Sequence, residues 1–169
     1  MLISSLAAAV ALALTVVFSG AAISGIRRHA DLVSAIVAYR VLPEDCPRHV
    51  APLIVSAELA VALLLPFPLT RQAGAVVSSL LLISFTAAIA VNVVRGTTDF
   101  DCGCGGRRPL RPGVALLARN VVLCCVSLAV ALVPALPLDV RQCVGALLLL
   151  CAWWLVNAMI ASAQWPTDD

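Results

Sequence analysis

Lysine is absent, and all 11 basic Lys/Arg positions are arginine. Arginine is costly to bury, but its planar fork suits bidentate pairing, so a cation inside this molecule should have specific partners. Charge of either sign is scarce. Charged residues make up 12% of the chain, where a soluble domain carries about a quarter, which excludes an ordinary soluble domain. Aromatic residues are few, and basic and aromatic residues do not interleave, so nothing points to nucleic acid. His29 and His49 lack a second ligand at zinc spacing. The cysteines are odd in number and do not form a zinc-finger frame. Internal repeats, linkers and low-complexity segments are also missing, so residues 1–169 are expected to form a single domain.

What fills the chain is apolar: 62% of its residues are hydrophobic. They fall into runs near the roughly 20 residues needed to cross a bilayer. Five spans are expected, at about 2–26, 50–67, 72–94, 113–133 and 140–163. The first is expected to be retained, because it lacks the basic n-region of a secretory signal although Ser19-Gly20-Ala21-Ala22 resembles a cleavage site. Backbone polar groups in lipid must be satisfied within each segment, so all five spans should be helices. Between the first two, Leu32, Ile36 and Tyr39 recur at helical spacing, interrupted by Asp31, Ser34 and Arg40. Residues 30–42 therefore predict one short amphipathic surface helix, stopped by Pro43. The expected fold is an all-α, polytopic membrane helix bundle in the cell membrane, with the lipid bilayer as its solvent.

The stretch Asp101-Cys102-Gly103-Cys104-Gly105-Gly106 departs from everything around it. It is polar, glycine-rich and flanked by Arg95, Arg107, Arg108 and Arg111. A thiol is nucleophilic as the thiolate, which nearby cations favour. A disulfide closing so small a ring should be easily reduced, which suits a catalytic bridge better than a structural one. Cys102 and Cys104 are thus candidate catalytic thiols, with Arg107 or Arg108 stabilising the thiolate. Two free cysteines in a turn is the bland alternative. A soft-metal grip, for instance of Cu(I) with Cys46 as third ligand, is a further one. Cys124, Cys125, Cys143 and Cys151 lie in or at the edge of apolar spans and are expected to pack as small hydrophobes.

With five spans, the Cys46 loop, the Cys102/Cys104 loop and the C-terminus share one face. At about 1.5 Å per residue, Glu58 lies roughly 12 Å below that face, Arg119 10 Å, Asn157 9 Å and Asn92 5 Å. Asn120 follows Arg119, so five polar residues fall in the half of the membrane under the thiols. Ionisable residues at depth are functional candidates and need partners. Glu58 and Arg119 match in depth and charge, which predicts a buried ion pair. They could line a pocket able to relay protons or hold a small acceptor such as a quinone head group; the alternative is a lock between two helices.

The runs Ala88-Ile89-Ala90-Val91-Asn92-Val93-Val94-Arg95-Gly96, Asp99-Phe100-Asp101-Cys102-Gly103-Cys104 and Leu117-Ala118-Arg119-Asn120 resemble the MauE family, grouped with the wider DoxX-like membrane proteins. Tyr39-Arg40-Val41-Leu42-Pro43 and Ala57-Glu58-Leu59-Ala60 resemble earlier motifs of that family. The resemblance implies an accessory protein of methylamine utilisation that acts with a thioredoxin-like partner in maturing a disulfide-rich exported protein. Carried over, Cys102 and Cys104 are the thiol pair, and Glu58, Asn92, Arg119 and Asn120 the intramembrane polar positions. Cys46, on the same face, is a possible relay thiol. Two features conflict on sidedness. Disulfide work on exported proteins needs the thiols outside the cytoplasm, while Arg27, Arg28, Arg40, Arg48, Arg95, Arg107, Arg108 and Arg111 share the thiol face, which the positive-inside rule would place inside. A non-catalytic scaffold subunit of a larger membrane assembly is the alternative function.

Overall fold

The computed structural model describes residues 2–43, 45–97, 111–134 and 140–164. Those residues are helical, with no strand among them: α1 (Leu2–Arg27), α2 (His29–Ala38), α3 (Pro47–Leu64), α4 (Arg71–Arg95), α5 (Val114–Leu132) and α6 (Val140–Gln164). Five stretches are long and apolar enough to cross a membrane: Ser4–Arg27, Pro47–Leu64, Arg71–Arg95, Val114–Leu132 and Val140–Ala163. The protein is an all-helical, multi-pass membrane protein, as its composition requires.

Helix ends follow local chemistry. Between α1 and α2 the chain breaks at Arg28 (φ −122°, ψ 49°). α2 ends at Ala38, four residues before the expected stop at Leu42, because Arg40 takes a positive φ of 49° that no α-helix accommodates. α3 begins at Pro47, three residues earlier than expected, since proline's fixed φ and missing N–H suit the first turn. It ends at Leu64 rather than Phe67: Leu65 keeps helical angles (φ −63°, ψ −37°), but Pro66 and Pro68 have no N–H with which to continue the ladder. The carbonyls exposed there are capped from the next segment: Thr70 Oγ1 donates to Leu64 O at 2.8 Å, and Arg71 Nε to Leu65 O at 3.4 Å. α4 ends in a Schellman motif. Gly96 takes φ +69°, Gly96 N–H bonds Val93 O, and Thr97 N–H bonds Asn92 O at 3.1 Å.

α1, α3, α4 and α5 close a ring in that order, with α4 and α5 sharing the largest interface. α6 packs outside the ring against α1, and α2 lies against α3 and α1. α3 and α5 stand across the ring from each other without a substantial interface. Lipid gives no hydrophobic drive between helices, so close packing and hydrogen bonds do the joining. Gly74 lets α4 approach α3, where an added Cβ would come within 2.9 Å of Leu64 Cβ. The Ser78 and Ser127 hydroxyls hydrogen-bond each other across α4 and α5, and Ser127 also donates to Ala75 O at 3.1 Å.

Two apolar clusters fill the interior. One gathers Leu14, Phe18, Val61, Leu65, Leu82 and Val130. The other joins Ile89 near the end of α4, Leu116 near the start of α5 and Ala161 near the end of α6, with Tyr39 packed against it. The second cluster identifies one face of the bundle: the end of α4, the start of α5, the end of α6 and the turn after α2 meet there. It is the face to which both ends of the cysteine loop belong.

Candidate functional site at the cysteine-loop face

Cys102, Cys104, Arg107 and Arg108 lie outside the described residues, but the flanks of their loop are placed. The N-terminal flank is organised by Asn92, which is 1% exposed. Its Nδ2 donates to Tyr39 O and to Ala88 O, each at 3.0 Å. Its Oδ1 accepts from Thr97 Oγ1 at 2.9 Å. One turn along α4, Arg95 Nη1 donates to Arg40 O at 3.3 Å. The start of the cysteine loop and the turn after α2 are therefore fastened to the same end of α4. The loop's other flank leads from a half-buried Arg111 into α5.

Arg119 sits in the second turn of α5, half-buried. Its Nε and Nη2 donate to Asn120 Oδ1 at 3.3 and 3.0 Å, and its Nη1 donates to Asn157 Oδ1 at 2.6 Å. The guanidinium carbon lies 4.8 Å from the centroid of the Trp153 ring, in cation–π range. Asn157 Nδ2 closes the group by donating to Trp153 O at 2.7 Å. This network spans α5 and α6, which otherwise share little backbone proximity.

The expected Glu58–Arg119 ion pair is not formed. Arg119 turns toward α6, while Glu58 lies on α3, across the ring from α5. Because α3 begins at Pro47, Glu58 is also deeper than expected, about 16 Å below the start of its helix. Glu58 is 7% exposed. The two residues therefore do not form one pocket wall. Cys46 is half-buried at the N-cap of α3, where its carbonyl accepts from His49 N–H and Val50 N–H, both at 3.0 Å. It faces the same side as the loop flanks. Among the described residues, no group of three or more His, Cys, Asp or Glu side chains could hold a metal ion.

The family profile described as "Methylamine utilisation protein MauE" matches residues 3–156. This chain belongs to the MauE family. Three relatives carry the name Methylamine utilization protein MauE. That of Paracoccus denitrificans is 40% identical over 121 residues, 70% of this chain and 64% of the relative. That of Methylophilus methylotrophus is 38% identical over 121 residues, 70% of this chain and 63% of the relative. That of Paracoccus versutus is 40% identical over 125 residues, 72% of this chain and 67% of the relative. The chain thus matches slightly under two-thirds of the length of the first two. No solved structure matches it.

In this MauE-family chain, sequence reasoning found Asn92, Arg119, Asn120 and Asn157 but not all their partners. Trp153 is a partner that sequence reasoning missed: its ring supports Arg119. A signal was available: Trp153 precedes Asn157 by four residues and so shares its helix face. Thr97 carried no signal, because its role arises from the reversal of the chain at Gly96.

Proposed function

We propose that this MauE-family protein is a membrane accessory factor of methylamine utilisation that exchanges a Cys102–Cys104 dithiol/disulfide with a thioredoxin-like partner. A thiolate of the pair attacks a disulfide of the partner, forming a mixed disulfide and releasing one partner thiolate. The second loop thiolate attacks the mixed disulfide, closing the Cys102–Cys104 bond and freeing the second partner thiolate. Two electrons pass from the loop to the partner, and the reverse sequence returns them. Arg107 and Arg108 favour the thiolates, and Asn92 holds the base of the loop. Arg119 and Asn120 fix α5, which receives the loop's far end. Cys46, on the same face, serves as a relay thiol, and Glu58 shapes the interior of the ring.

The observation that carries this reading is the anchoring of the loop's first residues. A glycine-rich pair of thiols springs from a base held by side-chain hydrogen bonds rather than from a loose connection. The test is exchange between the purified protein and a thioredoxin-like protein from the same organism, with Cys102→Ser and Cys104→Ser. One variant is expected to accumulate the mixed disulfide, and neither should complete a cycle. Full exchange in both variants overturns the proposal. Full support of methylamine growth by both would instead favour a non-catalytic scaffold.

A further inference from the structure

Asn92 uses its whole amide. Two carbonyl oxygens take its Nδ2 protons, and a hydroxyl donates to its Oδ1. The orientation is fixed by this network, because a reversed amide would set Oδ1 against two carbonyl oxygens. Two consecutive carbonyls of the turn after α2, those of Tyr39 and Arg40, are held by side chains three residues apart on α4, hence on one side of it. Arg40 has a positive φ, a strained conformation for a non-glycine residue that persists where surrounding bonds over-determine it. From this turn the bonding continues: Pro43 O accepts from Cys46 N–H at 3.0 Å. On the opposite side, Thr97 is bonded to Asn92 by both its hydroxyl and its N–H.

We infer that Asn92 and Thr97 are positioning residues forming a buckle, which makes the turn before Cys46 and the base of the Cys102/Cys104 loop move as one unit. A partner that docks on the turn before Cys46 then shifts Thr97, from which the chain runs on toward Cys102 and Cys104. The consequence for thiol chemistry rests on the redox function proposed above; the buckle itself does not. Thr97 is exposed and Asn92 buried, so the coupling can be cut at its outer bond without opening the interior.

The experiment uses the full chain in lipid nanodiscs and two readouts. In amide hydrogen exchange, Asn92→Asp places a carboxylate against Tyr39 O and Ala88 O. It should speed exchange both in 39–43 and at Gly96 and Thr97 by about fivefold or more, the worth of one neutral hydrogen bond, while 75–86 stays unchanged. Unchanged exchange in 39–43 overturns the buckle. In the second readout, an aromatic disulfide reagent oxidises the loop thiols. Thr97→Val should change that rate by about fivefold, and Thr97→Ser, which keeps the hydroxyl, should restore it. Equal rates in the wild type, Thr97→Val and Thr97→Ser overturn the positioning role, and this pair decides it even where Asn92→Asp fails to assemble. A wild-type protein that reacts with the reagent but never exchanges with the partner would defeat the proposed function and leave the buckle standing.

Discussion

Arg119 illustrates how a cation survives inside an apolar chain. Among the described residues it gives three hydrogen bonds to two asparagines and stacks on an indole, so neutral dipoles share its charge there. A hydrogen bond to a charged group contributes about 1.5–3 kcal/mol, so a double-mutant cycle between Arg119→Ala and Asn157→Ala should show coupling of about that size. The same cycle between Arg119→Ala and Glu58→Ala should show coupling indistinguishable from zero, read from unfolding in detergent. Glu58 has no cation within ion-pair reach among the described residues, and the neutral amide in Glu58→Gln has nearly the same shape. That substitution should leave the melting temperature unchanged or raise it, because an amide is buried without the ionisation cost that an acid carries there. These positions were legible as polar residues in apolar runs. Their partners were not, because depth and charge matched Glu58 to Arg119 while helix rotation decided otherwise.

At the scale of elements, four of the five spans could be read from length and apolarity to within a residue, and the other, α3, is displaced by three residues at each end. Further differences lie where two segments interact. α2 stops early at a turn whose carbonyls are taken by Asn92 and Arg95 of α4, residues more than fifty positions away in the chain. The α3–α4 turn is tight because Thr70 and Arg71 cap the end of α3 and because Gly74 lets the helices touch. Gly74→Ala would set a Cβ 3.0 Å from Leu65 N, against backbone that cannot yield cheaply. It should lower stability by about 1–3 kcal/mol, measured by thermal unfolding in detergent. The Ser78–Ser127 contact between α4 and α5 should matter less. Ser127→Ala is expected to cost about 0.6 kcal/mol, typical of interhelical hydrogen bonds in bilayers.

For the whole molecule, the ring of α1, α3, α4 and α5 places chain segments by face. The start of α3 and the end of α4 lie on the cysteine-loop face, and the α3–α4 turn lies on the other. Single cysteines introduced at His49 and Thr97 in an otherwise cysteine-free protein should therefore react with a membrane-impermeant maleimide from the same side of intact cells. One at Leu69, which is 99% exposed, should react only when that reagent is given access to the opposite side. Labelling of Leu69 and Thr97 from one side would refute the arrangement. Exposed Arg27, Arg28, Arg40, Arg48 and Arg95 share the loop face, whereas Arg71 on the other is 2% exposed and bonded to the end of α3. A far-face arginine is thus taken up by helix capping, so the asymmetry among cations that meet water is larger than the sequence count gives.

The chain alone determined that it is helical and membrane-spanning, where its spans lie, that alternate connections share a face, and that two thiols stand in a stretch rich in arginine and glycine. Each of these follows from composition and spacing, which act along the chain. The folded bundle alone decided that Arg119 joins asparagines and an indole rather than Glu58, and that Asn92 fastens two distant segments. Such choices depend on which helices become neighbours and how each is rotated, and in lipid those are settled by close packing and hydrogen bonds between segments that the linear order leaves far apart.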